Sequence, residues 1–294
     1  MKNMSEIRHN IRSIEETRQV TNAMFLLSTS RMKRTTQQIK HNREYMKRIR
    51  AAVHEILAHM PQKEHPFMQY STGKDDRPAY LVIASDKGLC GAYNQNIIRL
   101  TQSILAQWPS ATALHICTVG EQAAHALAGA GYQPNVAFTG AAQRPDTYYA
   151  RVIAEHFVRL FEQAQISSLH ILYTHYKNQL VQTPRCLKLL PVEESDFLHA
   201  AVLPPQRQIC FEPSATAVFD RVIPQYLVGM IYDCLHHAAC CEQVSRMNAM
   251  QNATKNADEM LHKLRLEYNT ARQLAITNEL SEIAAAAALA ENSV

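Results

Sequence analysis

The first part of the chain has a hydrophobic pattern that predicts one very long helix. Residues 4–57 contain neither proline nor glycine, so nothing in the sequence ends a helix there. A spacing of 3.5 residues picks out the positions Ile7, Ile11, Ile14, Arg18, Thr21, Phe25, Ser28, Met32, Thr35, Ile39, Asn42, Met46, Ile49, Val53 and Ile56. Most of these are apolar, and the period is typical of a left-handed coiled-coil seam. We therefore expect a helix of about 80 Å that packs on a partner helix.

A second seam of the same period lies near the other end of the chain. Beyond Pro224, residues 225–290 contain a single glycine, Gly229, and no further proline. The seam positions are Met247, Met250, Thr254, Ala257, Leu261, Leu264, Tyr268, Ala271 and Ala275. Two long seams in one chain favour an antiparallel intrachain coiled coil, with a homodimeric coiled coil as the alternative.

Strand-like and helix-like patterns alternate between the two seams. Strands are predicted at 79–85, 114–119, 135–138 and 168–176, helices at 94–108, 121–127 and 146–163, and a short edge strand at 209–211. This alternation predicts a Rossmann-like α/β domain with a small, mainly parallel, doubly wound sheet. The expected domains are an N-terminal coiled-coil helix at 1–57, a polar linker at 58–78, the α/β domain at 79–212 and a C-terminal coiled-coil helix at 213–294, with its helical region starting at Ser214.

The distribution of charge along the chain indicates which kinds of partner the protein could bind. The net charge of +4 hides an asymmetry, because residues 1–57 carry +7 and the rest of the chain carries −3. The basic clusters at 31–34 and 47–50 fit nucleic acid, anionic lipid or an acidic protein surface. Phe25 and Tyr45 are isolated aromatics rather than part of a base-stacking pattern, which favours an acidic protein partner over nucleic acid.

Neither a leader nor a membrane span is predicted. Charges recur every few residues at the start of the chain, and the apolar run at 283–290 is far short of the roughly 18 residues that cross a bilayer. Seven scattered cysteines fit a reducing cytoplasm. The pairs His236/Cys240 and His237/Cys241 have the spacing of two zinc ligands on a helix, but a structural zinc needs four, so we expect no metal there.

The stretch SDKGLCGAYN, residues 85–94, is the strongest candidate for chemistry. A glycine-rich turn after a strand can bind phosphate, and a thiol at a helix N-terminus can become a nucleophile. Neither a glycine-lysine phosphate loop nor a general base beside Cys90 accompanies it, so we expect Cys90 to be a small buried or half-buried residue. An enzyme or nucleotide sensor built on this turn, and a coiled-coil scaffold that carries it, are the alternatives.

Three blocks of sequence resemble the gamma subunit, or central rotor shaft, of F-type ATP synthases. They are IRHNIRSIEETRQVTNAMFLLSTSRMKR at 7–34, SDKGLCGAYN at 85–94 and RMNAMQNATKNADEMLHKLRLEYNTARQLAITNELSEI at 246–283. Their order and spacing are similar to those of the family. The resemblance implies a noncatalytic rotor subunit that couples ion flow through the membrane ring to ATP synthesis or hydrolysis in the alpha and beta head.

The same resemblance implies partners and contact residues. The partners are the alpha and beta subunits, the epsilon subunit and the membrane c-ring, with the protein held peripherally on the cytoplasmic side of a bacterial plasma membrane. A cofactor, a metal, a catalytic site, nucleic-acid binding and direct membrane insertion are not expected. Implied contacts with partner subunits fall on Met24, Arg31, Arg272, Gln273 and Thr277, with Asp86 and Lys87 as further candidates for the head or the foot.

The chain also departs from the family pattern. Arg31 stands where a lysine is usual, and Lys255 stands where an aspartate is usual. Ala92 and Tyr93 replace a glycine and a leucine, and the polyalanine run at 284–288 replaces a glycine-bearing end. These departures predict a divergent bacterial member.

Overall fold

The computed structural model describes residues 4–60, 65–69, 77–108, 114–197 and 210–291, with side chains as far as residue 284. The elements in chain order are α1 (Met4–Ala58), β1 (Pro78–Ile83), α2 (Tyr93–Leu105), β2 (His115–Val119), α3 (Glu121–Gly129), β3 (Val136–Phe138), α4 (Thr147–Glu162), β4 (Ser168–Tyr176), β5 (Gln182–Leu190) and α5 (Ala215–Glu291). The chain divides into a terminal unit, Met1–Leu27 with Met247–Val294, and a main unit, Ser28–Arg246.

In the terminal unit, α1 and α5 run antiparallel. Arg265 Nη2 donates to Glu15 Oε1 at 2.8 Å, and the hydroxyls of Thr21 and Thr254 are 2.9 Å apart. Residue numbers therefore rise along one helix as they fall along the other. This arrangement confirms the predicted antiparallel pairing of the two terminal helices within one chain.

The predicted seams are confirmed over most of their length. Every seam position of α1 except Arg18 is buried or half-buried, and the α5 seam is buried or half-buried from Met247 to Ala271. Ala275 is exposed, so the prediction of a seam position there is wrong. The reason is that the antiparallel overlap in the terminal unit ends near the start of α1, and α5 continues beyond it.

Asn42 is a polar seam position within the main unit. Its Nδ2 donates to the carbonyl oxygen of Gly229 at 3.2 Å and to Asp233 Oδ1 at 3.0 Å. A Cβ at position 229 would lie 2.4 Å from the sulfur of Met46, so glycine permits the close approach of α1 and α5 there. A hydrogen-bonded seam asparagine of this kind fixes the register of two helices.

The main unit contains a five-stranded sheet in the order β3-β2-β1-β4-β5. β1 pairs in parallel with β2 and β4, and β3 pairs in parallel with β2. Helices α2 and α3 cover one face of the sheet, while α4 and the neighbouring parts of α1 and α5 cover the other. The predicted doubly wound, mainly parallel sheet is therefore confirmed.

The edge of the sheet differs from the prediction. The fifth strand is β5, which pairs antiparallel with β4, and not residues 209–211. Ile209 lies outside the described residues, and Cys210 and Phe211 are not in a strand. Phe211 instead packs its ring 5.5 Å from that of His59. Because β5 already occupies the free edge of β4, no edge remains there for a second strand.

Helix α5 begins one residue after Ser214, where the sequence predicted the start of the C-terminal helical region. It starts at Ala215 and continues through Pro224, although proline removes one helical hydrogen bond. Phe219, Ile223 and Tyr226 are buried around this point. Their burial offsets the lost hydrogen bond, so packing overrides the local preference. Among the described residues, no helix has both the length and the apolar character needed to cross a bilayer.

Candidate functional site

The turn at residues 85–94 leaves the carboxyl end of β1, beside β4 in the sheet. In doubly wound sheets, ligands usually bind in the crevice at this end, where the strand order reverses. Here α5 packs against the end of β4. The thiol of Cys241 donates to the carbonyl oxygen of Thr174 at 3.4 Å, and the N–H of Tyr176 donates to His237 Nδ1 at 3.1 Å. Helix α5 of the protein itself therefore fills the crevice where a ligand would bind.

Arg246 fastens the turn to α5. Its Nη2 donates to the carbonyl oxygens of Lys87 and Gly88, each at 3.2 Å, and its Nη1 donates to Glu242 Oε1 at 2.6 Å. The side chains of Arg246 and Glu242 are only 9% and 10% exposed. Burial raises the pKa of Glu242, and the neighbouring guanidinium of Arg246 opposes that rise. The arrangement joins helix to turn, and these protein groups already engage the guanidinium of Arg246.

Cys90 is buried, which confirms the expectation from the sequence. The Nδ2 of Asn94 donates to its sulfur at 3.2 Å. Burial raises the pKa of the Cys90 thiol, although Ser85 and Arg246 act in the opposite direction. Nucleophilic cysteines have lowered pKa values, so this thiol is not activated. Cys90 packs the turn rather than performing chemistry.

The two charged residues of the turn have different surroundings. Asp86 is 8% exposed, and its Oδ1 accepts a hydrogen bond from the N–H of Glu121, the first residue of α3, at 3.2 Å. Lys87 is exposed. Of these two candidates, only Lys87 presents its side chain to solvent. Contact of either residue with a partner stays a prediction.

The remaining predicted contact residues lie on α1 and α5. Arg272, Gln273 and Thr277 are exposed in the terminal unit, where Met24 is half-buried. The hydroxyl of Thr277 donates to the carbonyl oxygen of Gln273 at 2.9 Å, so these two residues lie on one side of the helix. Arg272 is turned from Gln273 by about 100°. The main unit holds Arg31, Asp86 and Lys87.

Glu242 is a structurally important residue that lies outside all the quoted motifs, and Arg246 is the first residue of the block at 246–283, where its role in holding the turn was not predicted. Their signal in the sequence is an acidic and a basic residue four apart in a stretch of α5 rich in small and apolar residues. The two histidine–cysteine pairs of the same stretch also pack the helix. His237 Nε2 lies 3.4 Å from Asp233, and Cys240 lies 3.6 Å from the hydroxyl of Thr36.

Comparison with known proteins places this architecture in a family. A family model described as ATP synthase matches residues 3–289. The ATP synthase gamma chain of Ruminiclostridium cellulolyticum is 37% identical over 293 residues, which cover 98% of this chain and 99% of the relative. The ATP synthase gamma chain of Caldicellulosiruptor saccharolyticus is 35% identical over 284 residues, with 96% and 97% covered.

A likeness to a solved structure supports the fold. A chain in the central stalk and c-ring of the Tetrahymena thermophila mitochondrial ATP synthase aligns with a TM-score of 0.61 at 24% identity. The alignment covers 80% of this chain and 99% of the other. The sequence relatives span nearly the whole chain, so family membership rests on them. The chain therefore belongs to the ATP synthase gamma-chain family, as a divergent bacterial member and a noncatalytic subunit of the central stalk.

Proposed function

We propose that this central-stalk subunit transmits torque between a membrane c-ring and a head of alpha and beta subunits, and that its terminal unit contacts the head. One observation carries the proposal. Beyond Ala271, every side chain of α5 from Arg272 to Ala284 is exposed. The exposed residues include Leu274, Ile276 and Leu280. Apolar residues on an uncovered helix end mark a surface for another protein, and a surrounding head would cover them.

Particular residues carry the contact in this proposal. Arg272 and Gln273 donate hydrogen bonds to a loop of a beta subunit, and Thr277 meets it one turn further along α5. Met24 and Arg31 contribute from α1. The charge of +7 on residues 1–57 favours acidic loops on the partner subunits. A charged surface that turns inside the head favours one conformation of each subunit at a time, and this coupling needs no chemistry in the shaft.

The main unit contacts the ring and the epsilon subunit in the same proposal. Lys87 supports it, because its side chain is exposed while its carbonyl oxygen is held by Arg246. The protein is then peripheral, on the cytoplasmic side of the plasma membrane, and reaches the bilayer only through the ring. The nucleotide-sensor alternative lacks support, since α5 occupies the crevice beside β4.

Reconstitution with purified alpha and beta subunits tests the proposal. We expect the chain to co-elute with them and to confer sustained ATP hydrolysis that alpha and beta alone do not show. The double variant Arg272→Ala/Gln273→Ala should lower that rate several-fold. The matched control is Gln251→Ala/Asn252→Ala, another adjacent pair of exposed polar residues on α5, which should retain the wild-type rate. Failure to assemble, or equal loss in both double variants, would refute the proposed contact.

A further inference from the structure

Three ligand-bearing side chains meet at the amino end of β2, the opposite end of the parallel strands from the turn at 85–94. His115, Cys117 and His156 each offer one ligand atom, and these atoms all lie within 4.8 Å of one another. The sulfur of Cys117 is 3.8 Å from His156 Nε2, and the ring centroids of His115 and His156 are 5.8 Å apart. Nothing in the rotor role uses this cluster.

We propose that His115, Cys117 and His156 bind one zinc ion, with a water molecule as the fourth ligand. Imidazole nitrogen and thiolate sulfur are the ligands that zinc prefers. Structural zinc sites have four protein ligands, whereas catalytic sites have three and a water, so the ion proposed here keeps one exchangeable position. Zinc–sulfur and zinc–nitrogen bonds of the usual lengths place those two ligand atoms roughly 3.6 Å apart in a tetrahedron. The separation of 3.8 Å between Cys117 and His156 is already close to this value.

The backbone holds the three residues in place without a metal. His115 and Cys117 are two residues apart on β2, so their side chains leave the same face of the sheet. Cys117 pairs with Val136 of β3 on one side, and β1 flanks β2 on the other. His156 comes from α4, which packs on this face through the buried Phe157. Metal binding therefore requires only side-chain adjustment, and it would tie α4 to β2.

One buried ring nitrogen of the cluster is unpaired within the described ranges, and a bound metal ion would satisfy it. His115 Nε2 is buried and has no hydrogen-bond partner in the part of the chain that the structure describes. Leaving such a nitrogen unpaired costs free energy, and a metal ion would satisfy it.

Two effects oppose binding and must be overcome. Burial raises the pKa of the Cys117 thiol to about 12, so the ion must displace the thiol proton, which passes to solvent. Arg159 also lies near His156 and carries positive charge. The thiolate formed on binding offsets part of the repulsion between Arg159 and the ion. Cys117 is fully buried and the two histidines are half-buried, so the cluster meets solvent through the histidines.

Cobalt(II) gives a direct test, because it binds zinc sites and reports its ligands by absorption. Untagged full-length chain is stripped with a chelator and titrated with Co²⁺ alone. We expect one equivalent to bind, with a near-ultraviolet thiolate-to-cobalt band and the strong visible bands of tetrahedral cobalt. Zn²⁺ should then bleach both sets of bands, and about one proton should be released for each ion bound near neutral pH. A wild-type chain without the thiolate band would overturn the proposal.

Variants locate the ion. Cys117→Ser should abolish the thiolate band, and His156→Gln should weaken Co²⁺ binding at least ten-fold. Matched controls are Cys186→Ser and His125→Gln, which change an exposed cysteine and an exposed histidine elsewhere in the main unit and should bind as the wild type does. Circular dichroism checks the fold, and if Cys117→Ser fails to fold, the half-buried His115→Gln makes the same test. Unchanged binding in a folded ligand variant would refute the site.

Discussion

Arg246 and Glu242 form a buried ion pair one turn apart on α5, with Nη1 2.6 Å from Oε1. The same guanidinium holds the carbonyl oxygens of Lys87 and Gly88 at the end of β1. The Arg246 side chain thus connects the turn after β1 to the long helix. This junction lies at the crevice where other doubly wound proteins bind ligands.

Loss of Arg246 should therefore be costly. Arg246→Met leaves the Glu242 carboxylate buried without its partner, and we expect the free energy of unfolding to fall by about 3–5 kcal/mol. Urea unfolding followed by circular dichroism measures the change. The control is Arg265→Met, because the pair of Arg265 with Glu15 is exposed and should contribute no more than about 1 kcal/mol. Equal effects of the two substitutions would show that the junction is not a main source of stability.

Gly120 should tolerate no side chain. Its φ is +91°, and a Cβ there would lie 2.4 Å from the carbonyl oxygen of Ala84 and 2.8 Å from that of Ser85. We expect Gly120→Ala to lower the melting temperature substantially, since backbone atoms must move to accommodate the methyl group. Gly129 is the last residue of α3, and a Cβ there would meet nothing within 4 Å apart from its chain neighbours and its own helix backbone. Gly129→Ala should leave the melting temperature unchanged or slightly higher, and a comparable loss there would contradict this reasoning.

Acid should destabilise the main unit through His236. Burial lowers the pKa of His236 to about 4, against 6.5 in the unfolded chain, so the unfolded state takes up the proton first as the pH falls. The stabilisation is present above pH 6.5 and is lost between pH 6.5 and pH 4. We expect this residue to account for about 2 kcal/mol of lost unfolding free energy between pH 7.5 and pH 5.

A substitution separates this effect from other titrations. His236→Met replaces the imidazole with an apolar side chain of similar size that cannot titrate, and its urea-unfolding free energy should depend less steeply on pH than that of the wild type. His125→Gln, which changes an exposed histidine of α3, should leave the slope unchanged. If His236→Met and the wild type lose stability in parallel between pH 7.5 and pH 5, His236 is not the responsible group.

Cys90 should be dispensable for coupled activity. Cys90→Ala removes a buried sulfur from the turn, and we expect a loss of about 1 kcal/mol in unfolding free energy. ATP hydrolysis by the assembled head should stay near the wild-type rate, whereas Arg272→Ala/Gln273→Ala should lower it. Parallel assays of the two assembled variants make this comparison. An assembled but inactive Cys90→Ala complex would restore the case for chemistry at the turn.

The sequence predicted those elements of the fold that have a strong hydrophobic pattern of their own. The 3.5-residue seams placed α1 and α5 together because a long apolar stripe has to be buried. Strand β1 was equally clear, since all six of its residues are buried. Strand β5 was missed because an edge strand tolerates Pro184 and polar residues, so its sequence lacks the apolar signature of a central strand.

The site was harder to predict than the fold. The glycines and Cys90 of the turn are visible in the sequence, but the residue that occupies the crevice, Arg246, lies far along the chain. Only the packing of α5 brings it to Lys87 and Gly88. Local motifs therefore suggested a ligand site, whereas in the folded protein a distant part of the chain, α5, fills the crevice. Pro224 gives the same lesson for helix boundaries, because burial of Phe219 and Ile223 around it overrides its local preference.

Rotation of the main unit against a fixed head tests the central claim most directly. Leu180 is 95% exposed, so Leu180→Cys, combined with Cys186→Ser and Cys210→Ser to remove the exposed cysteines, provides a single accessible attachment point for a bead. The head of alpha and beta subunits is immobilised on glass, and the bead is watched while ATP is hydrolysed. The account predicts sustained rotation in one direction that stops when ATP is removed. Steady hydrolysis by the same assembled complexes with a stationary bead would contradict it.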